Sequence, residues 1–155
     1  METAIVAPVF FAMILGLIET GWMMTKVAMV ESAVTEAARL IYTGQAPDKS
    51  SIEQQICDRA VLVSDCASNI NIEILPVADF ASRPTDGAEC RDSGDVDFEP
   101  SVSYQTGGGG EIVFLRVCVT TDILVPGLGL GLALPKNNRG RFEIVSTTAF
   151  MNEPF

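Results

Sequence analysis

The chain reads as an α+β protein in which a long amino-terminal helix packs on a small antiparallel β-sheet. Three observations predict it. An uncharged, mostly apolar run over residues 3–18 continues without a turn signal into an amphipathic stretch that ends near Tyr42. Three β-rich runs follow, separated by polar or glycine-rich connections. Four cysteines accompany them in a chain that holds no histidine, as expected of a lobe exported to an oxidising compartment.

The helix comes first. Residues 3–18, at ~1.5 Å each, fall short of a ~30 Å hydrocarbon layer, so a membrane-spanning segment has to run through Glu19, Gly21 and Trp22 to about Met24. This defines residues 1–24 as the transmembrane part and 25–43 as its amphipathic continuation. Glu19 then lies inside the membrane. A charge near mid-helix costs roughly 2.5 to 3.5 kcal/mol, so this carboxyl is expected to be protonated, to snorkel past Trp22, or to meet a partner. Ala12, Gly16 and Thr20, spaced four apart, put small side chains on one narrow face where another helix can approach closely. Pro8 matters little if the helix starts near Ala4 and kinks it if the helix starts at Glu2.

A cleavable signal peptide is not expected. The chain shows neither a positive leading region nor small residues at a cleavage site, and Trp22, Met23 and Met24 follow the apolar run. Lys26 and Arg39 lie on the carboxyl side of the span, where a cytoplasmic loop would carry them. The cysteines argue for the opposite orientation and are given more weight, which implies a basic cytoplasmic leader ahead of the chain.

In the continuation, Val27, Val30, Val34, Ala37, Ala38 and Ile41 recur at three and four residues, with Lys26, Glu31, Thr35 and Arg39 between them. Gly44 and Pro47 are the expected stop signals.

Residues 44–155 are expected to form one β-rich domain outside the cytoplasm. A short helix over 51–62 precedes a strand over 69–77, where Ile70, Ile72 and Ile74 share one face with the period of a half-buried strand. Further strands are expected over 111–124 and 141–150, and a weaker fourth over 96–104. The glycines 107–110 read as a hairpin connection, because the lysine and hydroxyl residue of a phosphate loop are missing and Glu111 opens a strand. In 126–135 leucines alternate with small residues, consistent with a strand edge, a buried loop or an apolar flap exposed for assembly; burial is favoured. Residues 79–99 hold seven acids and read as a solvated loop, with calcium a lesser alternative because the ligand spacing is incomplete.

Cys57, Cys66, Cys90 and Cys118 are separated by eight, 23 and 27 residues, unlike the close pairs of structural zinc sites. Disulfides are therefore favoured over zinc or free thiols. Of three possible connectivities, Cys57 with Cys66 and Cys90 with Cys118 is preferred, because the first pair closes a short local loop.

Composition narrows the function classes. Ten basic against 20 acidic residues make a net charge of -10, which repels phosphate backbones, so no nucleic-acid partner is expected. The lack of histidine removes the commonest general base and metal ligand. With no nucleophile beside a recognisable base and no cofactor fingerprint, neither an enzyme nor a cofactor, metal or small-molecule substrate is expected.

Glu2 at the start of the apolar run, Pro8 within A-P-V, L-G-L-I-E-T-G over 15–21, T-E-A-A-R over 35–39 and the closing N-E-P-F over 152–155 together resemble the TadE-like proteins of the tight-adherence (Tad) pilus system. The resemblance implies a minor pilin or pseudopilin, a structural or assembly component of a bacterial pilus. It would be single-pass in the inner membrane, with its carboxyl-terminal domain in the periplasm or at the cell exterior and a leader trimmed by a prepilin peptidase. It also implies that Glu2 pairs with the amino terminus of a neighbouring subunit. The expected partners are membrane lipid and the transmembrane helices of other subunits, met through Glu2, Ala12, Gly16, Glu19 and Thr20. A single-span accessory subunit of another membrane complex is the alternative.

Overall fold

The computed structural model describes residues 2–45, 48–94, 98–100 and 104–154, residues 2 and 3 by their backbone alone. The expected architecture is present. Helix α1 (Glu2–Tyr42) is followed by α2 (Lys49–Arg59), a single turn α3 (Cys66–Asn69), β1 (Ile70–Val77), β2 (Ile112–Thr121), a turn α4 (Leu130–Ala133) and β3 (Phe142–Met151). The strands form one antiparallel sheet in the order β1-β2-β3.

The helix runs unbroken through Pro8, whose ring nitrogen cannot donate to the Ala4 carbonyl. It ends where glycine permits. Gly44 adopts φ +69° and donates to the Ile41 carbonyl at 3.0 Å, while Gln45 donates to Leu40 at 2.8 Å. This is the Schellman arrangement, which satisfies carbonyls that the last turn would otherwise leave unpaired. Pro47, the other expected breaker, lies outside the described residues.

Val30, Val34, Ala37, Ala38 and Ile41 are buried, joined by Ala33 and flanked by partly buried Val27. They meet the inward faces of the three strands: Ile70, Ile72 and Ile74 of β1, Val113, Leu115, Val117 and Val119 of β2, and Ile144 of β3. Ile52 and Ile56 of α2 close the core from the side. Asp48 caps α2 by accepting from the Ser51 N–H and hydroxyl.

Two expectations about the lobe need correction. β1 is not half-buried, because its polar side chains Asn71 and Glu73 are as enclosed as its isoleucines. The cover comes from residues 79–94 of the segment expected to be a solvated acidic loop, which cross the outer face of the sheet as a strap. Its backbone makes the attachment: Asn71 donates to the Glu89 carbonyl, the Glu89 N–H donates to Glu73, and Thr120 donates to the Arg91 carbonyl, all at 2.8–2.9 Å. Cys90, bonded to Cys118 of β2, pins it. Cys57 is bonded to Cys66, joining α2 to α3, so both preferred pairings are present. Acidic side chains such as Asp79 and Asp86 still face solvent; the strap buries backbone and strand polar groups instead.

The fourth strand, expected over 96–104, falls partly outside the described residues. Its described part contributes one bridge, Tyr104 with Ile74.

Candidate functional site

Met23 is the first strongly buried apolar residue of α1, so the lobe encloses the helix only from there onward. Before it, Ile5, Val6, Phe10, Phe11, Met13 and Leu17 are exposed. By length and composition α1 is able to cross a membrane, with a mean hydropathy of 2.0 in its most apolar window.

Glu19 is the exception in this bare half, at 0 % exposure. Its two carboxyl oxygens accept the backbone N–H groups of Leu124 and Val125 at 3.0 and 2.8 Å. Those residues lie just past the end of β2, and the chain then folds back along the helix. At Gly129, where φ is +55°, a side-chain carbon would come within 3.2 Å of the Gly16 Cα. The absence of a side chain at Gly129 is what permits this approach; at Gly16 a side-chain carbon would meet nothing within 4 Å. Gly131 is pressed against the Val125 carbonyl in the same way.

At Gly16 the small-residue face therefore meets the chain's own loop. Ala12, Gly16 and Thr20 are each partly covered. The Thr20 hydroxyl donates to the Gly16 carbonyl at 2.7 Å, which spends its polar group within the helix. Gly16 and Glu19, expected to meet another helix, contact the chain's own loop 122–135. Glu2 opens the helix, and its side chain lies outside the described residues. The loop itself is neither a strand edge nor wholly buried: Leu124 and Leu132 are 56 % and 67 % exposed.

Lys26, read from the sequence as lying between the stripe residues, is 4 % exposed. It donates to the Thr121 hydroxyl at 2.8 Å and the Asp122 carbonyl at 3.0 Å, and its ammonium lies 6.0 Å from the Trp22 ring centre. Seven residues after Glu19, it falls on the same side of the helix, so the pair brackets the point where β2 becomes the loop. From sequence, only that spacing hinted at the partnership.

Beyond this point Arg141 links three parts of the lobe, donating to Asp122 at 2.8 Å, to the Asn69 side chain at 2.7 Å and to Asp92 at 3.3 Å. Arg139 and Asn137 also donate to Asp92. Burial opposes the Asp92 charge, but the Gly94 N–H, these side chains and Arg141 hold its carboxyl below the ordinary range.

Among the described residues no group of three or more cysteine, aspartate or glutamate side chains is placed to hold a metal ion. The arrangement fixes the angle and height at which a lobe sits on an apolar rod, and offers the rod's bare surface for packing.

Compared with known proteins, residues 1–39 match the family model described as TadE-like protein. The match covers the exposed half of α1 and most of its buried half, and ends ahead of the sheet. No curated protein and no solved structure matches the chain.

Proposed function

With the TadE-like assignment of its amino-terminal segment as premise, we propose that the protein is a minor pilin-like component of a bacterial Tad-type pilus, acting in its structure or assembly. In this reading one helix anchors it in the inner membrane, and the disulfide-bonded lobe stands in the periplasm or at the cell exterior. It works without catalysis or cofactor, by offering a helix surface to lipid and to the helices of other subunits.

The observation that carries the reading is that the matched segment includes the whole bare half of α1. Among the described residues Ile5, Phe10, Phe11 and Leu17 stay largely exposed, and an apolar rod of this kind is stable in hydrocarbon or against other helices. The two disulfides support export, since such bonds persist in oxidising compartments.

The test is biochemical fractionation. The protein is expected in sheared surface filaments or with the pilus assembly platform, and Glu2→Gln is expected to lower its incorporation while both disulfides remain intact. Stoichiometric recovery with an unrelated detergent-extracted complex, and absence from the pilus fractions, would replace this reading with that of a single-span accessory subunit.

A further inference from the structure

Residues 124–135, L-V-P-G-L-G-L-G-L-A-L-P, carry no charge and include five leucines. The glycines let the backbone close inward, Gly129 on the helix and Gly131 on Val125, while Leu124 and Leu132 are displayed outward. The height of this display is set by the helix. The loop touches α1 at Glu19 and Gly16, five and eight residues before Met24, or ~7.5 and ~12 Å along the axis at ~1.5 Å per residue.

The uncharged run starts after Glu2, and about 20 residues are needed to cross ~30 Å of hydrocarbon, which carries the span to Trp22 or beyond. The level of Gly16 then lies well inside the lipid. Resting on the reading of α1 as a membrane anchor, we infer that the loop 124–135 is itself inserted in the bilayer, with Leu124 and Leu132 among the acyl chains of the leaflet nearest the lobe.

Irregular backbone is costly at that depth unless its polar groups are satisfied, and many here are. The Leu124 and Val125 N–H groups go to Glu19, Leu132 donates to the Gly129 carbonyl at 3.3 Å and Leu134 to that of Leu130 at 3.0 Å. Lys136, just past the loop, donates to the Pro126 carbonyl at 3.0 Å. Glu19 on this account is the internal hydrogen-bond acceptor that makes insertion of the loop tolerable. Leu17, Ile18 and Trp22 of the helix, at the same levels, are exposed as well.

Tryptophan quenching by chain-brominated phosphatidylcholine tests this on the full chain reconstituted in vesicles. In a Trp22→Phe background, single tryptophans are placed by Phe10→Trp in the helix, Leu132→Trp in the loop and Val145→Trp on the exposed face of β3. Mass measurement confirms both disulfides in each variant, and Leu124→Trp replaces the loop variant if that one misfolds. Expected is loss of about half or more of the emission for the helix and loop variants, and little for Val145→Trp. Quenching at position 10 with none in the loop overturns the insertion and leaves the anchor standing, the leucines then facing water or another protein. No quenching at any position overturns the anchor and the insertion together. Quenching at position 145 equal to that in the loop also overturns the proposal, since the lobe would then lie on the lipid without selective insertion.

Discussion

Glu73 and Arg116 face each other across β1 and β2, each almost wholly enclosed, and the strap's Asp86 carbonyl accepts another of the arginine's N–H groups. The pair lies on the face of the sheet away from α1. Its enclosure is the clearest sign that the strap is part of the fold.

Removing one partner leaves the other charge buried and unpaired. Arg116→Met is expected to destabilise the protein by about 3 to 5 kcal/mol, whereas the double change Glu73→Met/Arg116→Met should cost much less. Urea titration of the detergent-solubilised protein measures both. Equal losses would show that the pair's charge plays no part.

The disulfides should differ in weight. With sequence separations of 28 and 9 residues, loop-closure entropy favours the strap bond by about 1 kcal/mol within a typical 2 to 4 kcal/mol each. Replacing Cys90 and Cys118 by serine is expected to lower the urea midpoint more than replacing Cys57 and Cys66. It should also open residues 79–94 to limited proteolysis before the rest of the lobe.

Glu19→Gln keeps one carbonyl acceptor and turns the other oxygen into a donor that faces a donor. Charge-assisted bonds contribute about 1.5 to 3 kcal/mol, so the Leu124 and Val125 amides should exchange hydrogen about tenfold to a hundredfold faster, with core strands unchanged. Unchanged exchange at these two amides would separate Glu19 from the loop.

The Asp92 cluster predicts a pH dependence with a definite sign. Its folded carboxyl titrates below the ordinary value of 3.8, so its contribution is fully present above that value and is lost as pH falls through the folded pKa. Wild type should exceed Asp92→Asn in urea midpoint at neutral pH, and the difference should close below pH ~3. A difference that grows on acidification would contradict the assignment.

Gly44→Ala places a side chain at φ +69°. A loss of about 1 to 2 kcal/mol in urea titration is expected from left-handed strain alone. A neutral outcome would mean that the helix can end elsewhere.

Much of this was legible beforehand because it depends on local periodicity. The spacing of Val30, Val34, Ala37 and Ile41 marks the packing stripe, and the alternation at Ile70, Ile72 and Ile74 marks the inner face of β1. Both follow from helix and strand geometry within a few residues. The fate of Asn71, Glu73 and Arg116 could not be read this way, since alternation places them outward and only a distant segment decides whether water or backbone meets them. The same holds for Asn152, which the closing motif presents as an isolated polar residue. It donates to the Thr106 and Gly108 carbonyls at 2.7 and 3.2 Å, tying down the glycine turn, while the next residue, Glu153, bonds through its N–H to the last carbonyl of α1 at Tyr42.

By itself the sequence determined that an apolar rod continues into an amphipathic helix and that a small antiparallel sheet of three or four strands follows, and it favoured Cys57 with Cys66, which closes a short local loop, leaving Cys90 with Cys118. Those properties are encoded by residues close together along the chain. Only the tertiary structure decided that Glu19 and Gly16 receive the chain's own loop, and that an acidic segment becomes the roof of the sheet. Each joins groups far apart in sequence, about a hundred residues in the case of Glu19 and Val125, and a backbone N–H or a glycine surface carries no mark of the partner it will meet until the fold brings them together.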